Sequence, residues 1–546
     1  MDNSKDWWKR AVIYQIYPRS FCDSNGDGIG DIPGILSKLD YLQTLGVDAL
    51  WLSPVYPSPQ YDNGYDVADY QGVDPIFGSM ADLEQLIDAA GQRGIRIIMD
   101  LVLNHSSDQH PWFQRARQSR EDPCHDYYIW RDRIPHPEGS SDNVAFGYGS
   151  WKWVPEVGQY YYYQFSEKQP DLNWANPALR QELYAMINWW VNKGVGGFRL
   201  DVVDHLGKDP DHQIKKNGPN QHDLVRELSA AAFSRPGLVT VGEAWSATTD
   251  SAKLYSAPDG SELSMVFQFE HIVLDQADGG DKWDLAPLPL PLLKQTLSKW
   301  QRELHGQGWN SLFWENHDLP RIVSRWGDED AFRELSAKML AVLLFGMEGT
   351  PYVYQGQELG MTNIHLALDE YQDVETREML ASHRLKGWTD TKLLQAAYAK
   401  SRDNARTPMQ WSAGANAGFT AGEPWLKVNP NYTEINAENQ VGRVGSVFEC
   451  YRQLIGLRHD YPVFIDGTFE LLLPDDEDLF AYTRTDDTAR VLVVCNFRGR
   501  ILTDPLAERE SGMTMLYCNY EDCADGAQLR PYEAKLFWQP VTEGGK

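Results

Sequence analysis

Arg199 and Asp201 stand two residues apart in the run GVGGFRLDVVD. Side chains alternate along a strand, so these two point the same way. A fixed cation beside a carboxylate favours its ionised form, which suits a nucleophile. Glu243 closes a second apolar run, LVTVGEAW, and Asp318, preceded by His317, closes a third, NSLFWENHD. A carboxyl in a partly apolar setting holds a proton near neutral pH. Two carboxyls about 5–5.5 Å apart suit retaining glycoside hydrolysis. One attacks the anomeric carbon; the other protonates the leaving oxygen and then activates water. Any one of these acids alone reads more readily as half of a salt bridge. The set together, with Asp100 and His105 on a fourth run, does not.

Strands must carry these groups. The apolar runs are AVIYQIY, VDALWLSP, IRIIMDLVLNH, GVGGFRLDVVD, LVTVGEAW, MVFQFEH, NSLFWENHD and TPYVYQG. Amphipathic stretches such as IPGILSKLDYLQTLG and MADLEQLIDAAGQRG lie between most of them. Strand alternating with helix predicts a parallel sheet, and eight such units predict an α/β fold, a closed (β/α)8 TIM barrel. Continuous apolarity marks strands buried on both faces. Charge is costly inside such a strand but belongs at its carboxyl end, where barrel enzymes keep their sites.

Three segments break the alternation. Residues 104–171 are rich in Trp, Tyr, Pro and Gly and read as a domain inserted after strand 3. The barrel then occupies 1–103 and 172–465, with an excursion at about 360–412. The tail, 466–546, holds GTFELLLP, LFAYTRT, ARVLVVCNF, MTMLYCN and AKLFWQP, which predict a C-terminal antiparallel β-domain.

An oxygen-rich loop, DSNGDGIGD, follows the first strand run. It opens as an EF-hand does, with Asp23, Asn25 and Asp27 alternating. The twelfth position is Gly34 rather than Glu, and a strand precedes it where an EF-hand has a helix. A calcium sensor is therefore excluded.

The chain of 546 residues carries a net charge of -28, which disfavours nucleic acid as a partner. Six cysteines in this length are no disulfide framework, and Cys518 and Cys523 read as ordinary thiols. No stretch approaches the ~20 apolar residues of a membrane span. The amino terminus has no apolar signal core, so a cytoplasmic location is expected, with no membrane partner.

The short runs also carry a resemblance. DLVLNH (100–105), GFRLDVVDH (197–205), GEAW (242–245), ENHD (315–318) and QPDLN (169–173) resemble the five short regions of the α-amylase family of glycoside hydrolases, in order and spacing. The resemblance implies Asp201 as nucleophile, Glu243 as acid/base and Asp318 as the carboxylate that grips and distorts the sugar. AVIYQIYPRSF, DSNGDGIGD, YDNGYDVADY and RDNARTPMQW resemble the oligo-1,6-glucosidase and dextran glucosidase group. That likeness implies Asp62, Tyr65, His105, Arg199, His317 and Arg402 around the terminal glucose, with Asp62 and Arg402 closing the far end. It implies apolar walls from Phe146 and Phe165. It also implies one structural calcium on Asp23, Asn25, Asp27, Asp31 and the Ile29 carbonyl, and no organic cofactor. Val202, next to the nucleophile, is the residue type found in group members that prefer α-1,6 bonds. A monomeric exo-glucosidase acting on small oligosaccharides is expected. Its alternatives are an α-1,4-glucosidase, a trehalose-6-phosphate hydrolase and a sucrose isomerase. Lys215 and Lys216 are the only local pair of cations that a phosphate would use. A non-catalytic transporter heavy chain would lack the full set of carboxylates present here.

Overall fold

The structure is a computed structural model that describes residues 6–135, 150–522 and 527–541. Its centre is eight parallel strands: β1 (Ile13–Ile16), β2 (Ala49–Leu52), β3 (Arg96–Leu101), β4 (Gly197–Leu200), β5 (Val239–Glu243), β6 (Met265–Phe267), β7 (Ser311–Leu312) and β8 (Thr350–Tyr354). They run in the order β7-β8-β1-β2-β3-β4-β5-β6. A parallel bridge between Val266 and Asn310 joins the two edges and closes the barrel. All eight predicted runs are strands. β7 has only two strand residues, so the stretch that ends in Asp318 is mostly irregular.

The strands are buried on both faces because helices cover the outside and side chains fill the inside. Trp51, Phe267 and Tyr352 meet at the barrel axis with ring centroids 4.6–6.3 Å apart. Helix Met80–Gln92 shows how the outer layer forms. Ser79 and Asp82 make a reciprocal capping box at its start. Leu83, Leu86, Ile87 and Ala90 then bury one face at helical spacing. Replacing Ser79 by Ala removes a cap worth about 1 kcal/mol.

Between β3 and β4 lies a three-stranded antiparallel sheet of Trp130–Arg131, Gln159–Tyr162 and Trp151–Val154, with Gln159–Tyr162 central. One short helix, Pro111–Ala116, precedes it. Its entry and exit are clasped by an antiparallel bridge between His105 and Asp171. After β8, helices Val374–Leu385 and Asp390–Lys400 pack on a small core around Ile364, Tyr371, Met379 and Leu393. The five predicted runs of the tail form one antiparallel sheet.

Two expectations need comment. Cys518 is disulfide-bonded and not an ordinary thiol; its partner lies outside the described residues. Phe146 also lies outside them. Among the described residues, no helix is long and apolar enough to cross a membrane.

Candidate active site

Arg199, fully buried on β4, organises three carboxylates. Its Nη1 lies 2.8 Å from Asp100 Oδ1 and 2.9 Å from Asp201 Oδ1, and its Nη2 donates to Glu243 Oε2. Asp201 follows β4, and its N–H still donates to Leu101 O at 2.9 Å. The chain then turns sharply. Val202 is left-handed, with φ 35° and ψ 50°, a region β-branched residues rarely enter. The turn lets Val202 N–H donate to Glu243 Oε2 at 3.3 Å. Trp245 Nε1 holds the other oxygen of Glu243 at 2.8 Å.

One guanidinium among three buried carboxylates does not neutralise them. Burial raises the Asp201 carboxyl well above its ordinary range, Arg199 opposes this, and Glu243 and Asp100 add to it. Arg199 favours the ionised form of Asp201, as expected, but burial and the two neighbouring carboxylates outweigh it. Burial likewise raises Asp100 to about 6.

Asp318 has the opposite surroundings. Burial by itself would raise it, but His317, Arg402 and Arg406 draw it far below the usual carboxylate range. Arg402 Nη1 is 3.2 Å and Arg406 Nη2 2.8 Å from Asp318 Oδ1. Burial pushes His317 down to about 3, so its ring is neutral near pH 7. The Tyr65 hydroxyl lies 2.7 Å from His317 Nε2 and donates to Asp100 Oδ2 at 2.9 Å. The Tyr65 and His317 rings stack at 5.3 Å.

A cavity of about 370 Å³ joins these groups. Asp62, Tyr65, His105, Phe165, Asp201, Val202, Glu243, Asp318 and Arg402 line it. Arg199 and His317 do not; both act from behind the wall on residues that do. Asp62 Oδ1 is 3.6 Å from Arg402 Nη2 and has no hydrogen-bond partner among the described residues. Gln169 holds the other Asp62 oxygen at 3.2 Å. Burial raises Asp62 to about 6 against the pull of Arg402 and Arg406. His105, pushed by burial down to about 4, donates its Nε2–H to the Tyr65 carbonyl at 3.0 Å and packs on Phe165 at 5.2 Å.

The outer half of the cavity was not foreseen from sequence. Trp245 stacks on Phe269 at 3.9 Å and is 42% exposed. Lys282 pairs with Glu375 at 2.5 Å, and Arg325 and Lys400 join them in the lining. The GEAW motif contained Trp245, so one signal was present. The cations are far apart in sequence and had none. They also revise the expectation that Lys215 and Lys216 are the only paired cations to consider near the site.

The oxygen-rich loop lies away from this cavity's lining. Asp23, Asn25 and Asp27 each accept the N–H two residues on, at 2.8–2.9 Å. Asp31 caps the helix that follows, accepting Gly34 N–H at 2.6 Å. Gly28 has φ 88°, and a Cβ there would meet Glu423 O at 1.8 Å, so only Gly fits. Hard oxygens on a tight turn are the donor set calcium takes. Asp27 and Asn25 keep acceptor capacity for it. Asp23 already takes bonds from Asn25, Gly26 and Gly28 N–H and from the Thr420 hydroxyl, so a cation would displace one of them. Among the described residues, no three acidic, His or Cys side chains converge as a ready metal cluster.

Comparison with known proteins follows the same lines. A family profile described as "Alpha amylase, catalytic domain" matches residues 15–467. The chain is 49% identical over 557 residues to an oligo-1,6-glucosidase of Halalkalibacterium halodurans, covering 98% of this chain and 99% of that protein. It is 51% identical over 493 residues to a glucan 1,6-alpha-glucosidase of Streptococcus pneumoniae, covering 90% and 91%. The crystal structure of a trehalose-6-phosphate hydrolase of Bacillus licheniformis matches with a TM-score of 0.92 at 42% identity, covering 97% and 99%.

Proposed function

The chain belongs to the α-amylase family of glycoside hydrolases, and from that premise we propose a retaining, exo-acting α-glucosidase. It removes α-1,6-linked glucose from the non-reducing ends of isomalto-oligosaccharides and dextran. The observation that carries the exo reading is the contact of Asp62 with Arg402, 3.6 Å apart in the same cavity lining as the carboxylates. A cavity shut there admits one sugar past the cleaved bond.

Asp201 attacks the anomeric carbon. The bond to the leaving oxygen breaks as Glu243 gives that oxygen its proton. The glycosidic oxygen docks on Glu243 and accepts its hydrogen bond, and Asp201 reacts as the carboxylate beside Arg199. Water then gives a proton to Glu243 and its oxygen to the anomeric carbon, and the Asp201 ester breaks. Asp318, held ionised by its arginines, accepts from sugar hydroxyls throughout. Asp62 Oδ1, without a hydrogen-bond partner among the described residues, accepts from a sugar hydroxyl. Trp245 offers an apolar face to the leaving sugar, and Lys282 and Glu375 offer donors and acceptors to its hydroxyls. Val202 supports the α-1,6 preference: a leaving sugar on a flexible extra carbon swings clear of its methyl groups, and one attached directly does not.

We also propose one structural calcium on the side chains of Asp23, Asn25, Asp27 and Asp31 and the carbonyl of Ile29. Bound only to the folded chain, it would stabilise by mass action.

A second reading, hydrolysis of a phosphorylated disaccharide, draws on Lys282, Arg325 and Lys400 beside the cavity. Glu375 and Asp275 already pair with these cations, at 2.5–2.6 Å, which favours a neutral leaving sugar. A hydrolysis panel of isomaltose, isomaltotriose, dextran, maltose, trehalose 6-phosphate and sucrose decides. Isomalto-sugars should lead; a lead for trehalose 6-phosphate would replace the first reading with the second.

A further inference from the structure

Asp275 lies on the loop after β6 and gathers four donors on one carboxylate. Arg325 Nε donates to Oδ2 and Nη2 to Oδ1, both at 2.6 Å. Trp326 Nε1 donates to Oδ2 at 3.1 Å, and Lys400 Nζ to Oδ1 at 2.6 Å. The donors come from two further segments, helix Ile322–Trp326 and the last residue of helix Asp390–Lys400. The side chains of Asp275, Arg325 and Lys400 are 9%, 4% and 5% exposed, so solvent barely screens the cluster.

Its neighbours give the cluster its interest. Ile272, Val273 and Gln276, on the same loop, line the outer half of the cavity. Two residues beyond Lys400 stands Arg402, which meets Asp62 and holds Asp318. A single buried carboxylate therefore ties the wall facing the leaving sugar to the segment that grips the glucose. Bidentate Arg pairing fixes orientation as well as distance.

We propose that Asp275 and Lys400 are positioning residues for the leaving sugar: through Arg325 they set the stance of loop 272–276 against the leaving side of the bond. This rests on the glucosidase reading of the same pocket. Neither side chain touches the reacting atoms. Lys400 faces Asp275 from the loop and Arg325 from the neighbouring helix, and feels the charge of Lys282 in the same lining. Burial, with Arg325 and Lys282, brings its ammonium down to about 8 against the pull of Asp275. The tie therefore loosens as pH rises through about 8.

The test compares kcat/KM for isomaltose with that for an activated aryl α-glucoside, whose leaving group has no sugar hydroxyls, across about pH 6 to 10. Lys400→Met and Asp275→Asn should lower the isomaltose value about 10- to 100-fold, as a small misplacement does, and the aryl value far less. In the unaltered enzyme the isomaltose-to-aryl ratio should fall through about pH 8. Lys400→Arg keeps its charge, and there the ratio should stay flat. Equal losses on both substrates with a lowered Tm would make the cluster a structural brace only and overturn the proposal. So would an alkaline fall that persists in Lys400→Arg. If the unaltered enzyme hydrolyses neither glucoside, the glucosidase reading fails and this role falls with it.

Discussion

Val202 is where backbone and specificity meet, and its replacement separates the two. Its φ of 35° and ψ of 50° hold a β-branched residue in the left-handed region. A non-glycine residue held there stores about 1–3 kcal/mol of strain. The side chain is 6% exposed, and burying a Val contributes about 1.5–3 kcal/mol. Val202→Gly releases the strain and loses the burial, so the two nearly cancel. Val202→Ala loses most of the burial and keeps part of the strain, a net loss of about 1 kcal/mol. Val202→Thr keeps shape and branching, so its stability change isolates the cost of a hydroxyl in place of a methyl. Specificity follows a different order. The methyl groups are expected to press on a leaving sugar attached directly to its ring, as in maltose, and to clear one carried on an extra carbon, as in isomaltose. A methyl-scale contact discriminates by about 1–3 kcal/mol, or roughly 10- to 200-fold. Thermal melts and kcat/KM for both disaccharides on all four proteins give both quantities. The unaltered enzyme should favour isomaltose, and the Thr and Ala variants should move toward maltose. Preference for maltose in the unaltered enzyme, or an unchanged ratio in both variants, refutes the contact argument. A Gly variant destabilised by more than about 3 kcal/mol refutes the stored strain.

Asp201→Asn should fold normally, by circular dichroism and melting, and lose turnover, because an amide cannot form the glycosyl ester. Glu243→Gln should retain activity only on aryl glucosides whose leaving group needs no proton; by NMR the first glucose released should be the α-anomer. Asp62 is raised to about 6 by burial, so its acceptor role is complete above that pH and lost below it. KM for isomaltose should rise as pH falls through about 6, and Asp62→Asn should have a high KM at every pH. A chelator should lower Tm more than it lowers low-temperature activity, and replacing Asp23 and Asp27 with Ala should abolish that difference; an unchanged Tm speaks against the calcium.

What could be read without coordinates was whatever stands out from its strand. Asp100, Arg199, Glu243 and Asp318 are charges at the ends of apolar runs, and burial physics permits them only at the barrel mouth. The five strands of the tail alternate clearly enough to be named one by one. Other features depend on long-range assembly. Lys282, Arg325, Glu375 and Lys400 come from separate segments and meet only in the folded cavity. Val202 reads as a strand residue because β-branched side chains usually are, and the left-handed turn after Asp201 has no local signal. Around Asp201 the sequence showed one Arg beside one Asp. It did not show the two further carboxylates around the same guanidinium.

That uneven distribution of charge explains how one cavity holds carboxylates in different states. Asp318 faces Arg402 and Arg406, two permanent cations, and stays ionised whatever the substrate does. Asp201 and Glu243 must divide Arg199 with Asp100, and burial holds Asp201 well above the ordinary carboxylate range. In the retaining hydrolysis we propose, a proton moves out to the leaving oxygen and back from water. In that proposal Asp318 takes no part in the proton transfer and keeps its charge. Without Arg406 the Asp318 carboxyl would move back up toward its ordinary range. The asymmetry follows from topology. Arg199 is a β4 residue inside the barrel, whereas Arg402 and Arg406 arrive on the segment after β8 and reach Asp318 from outside the ring of strands.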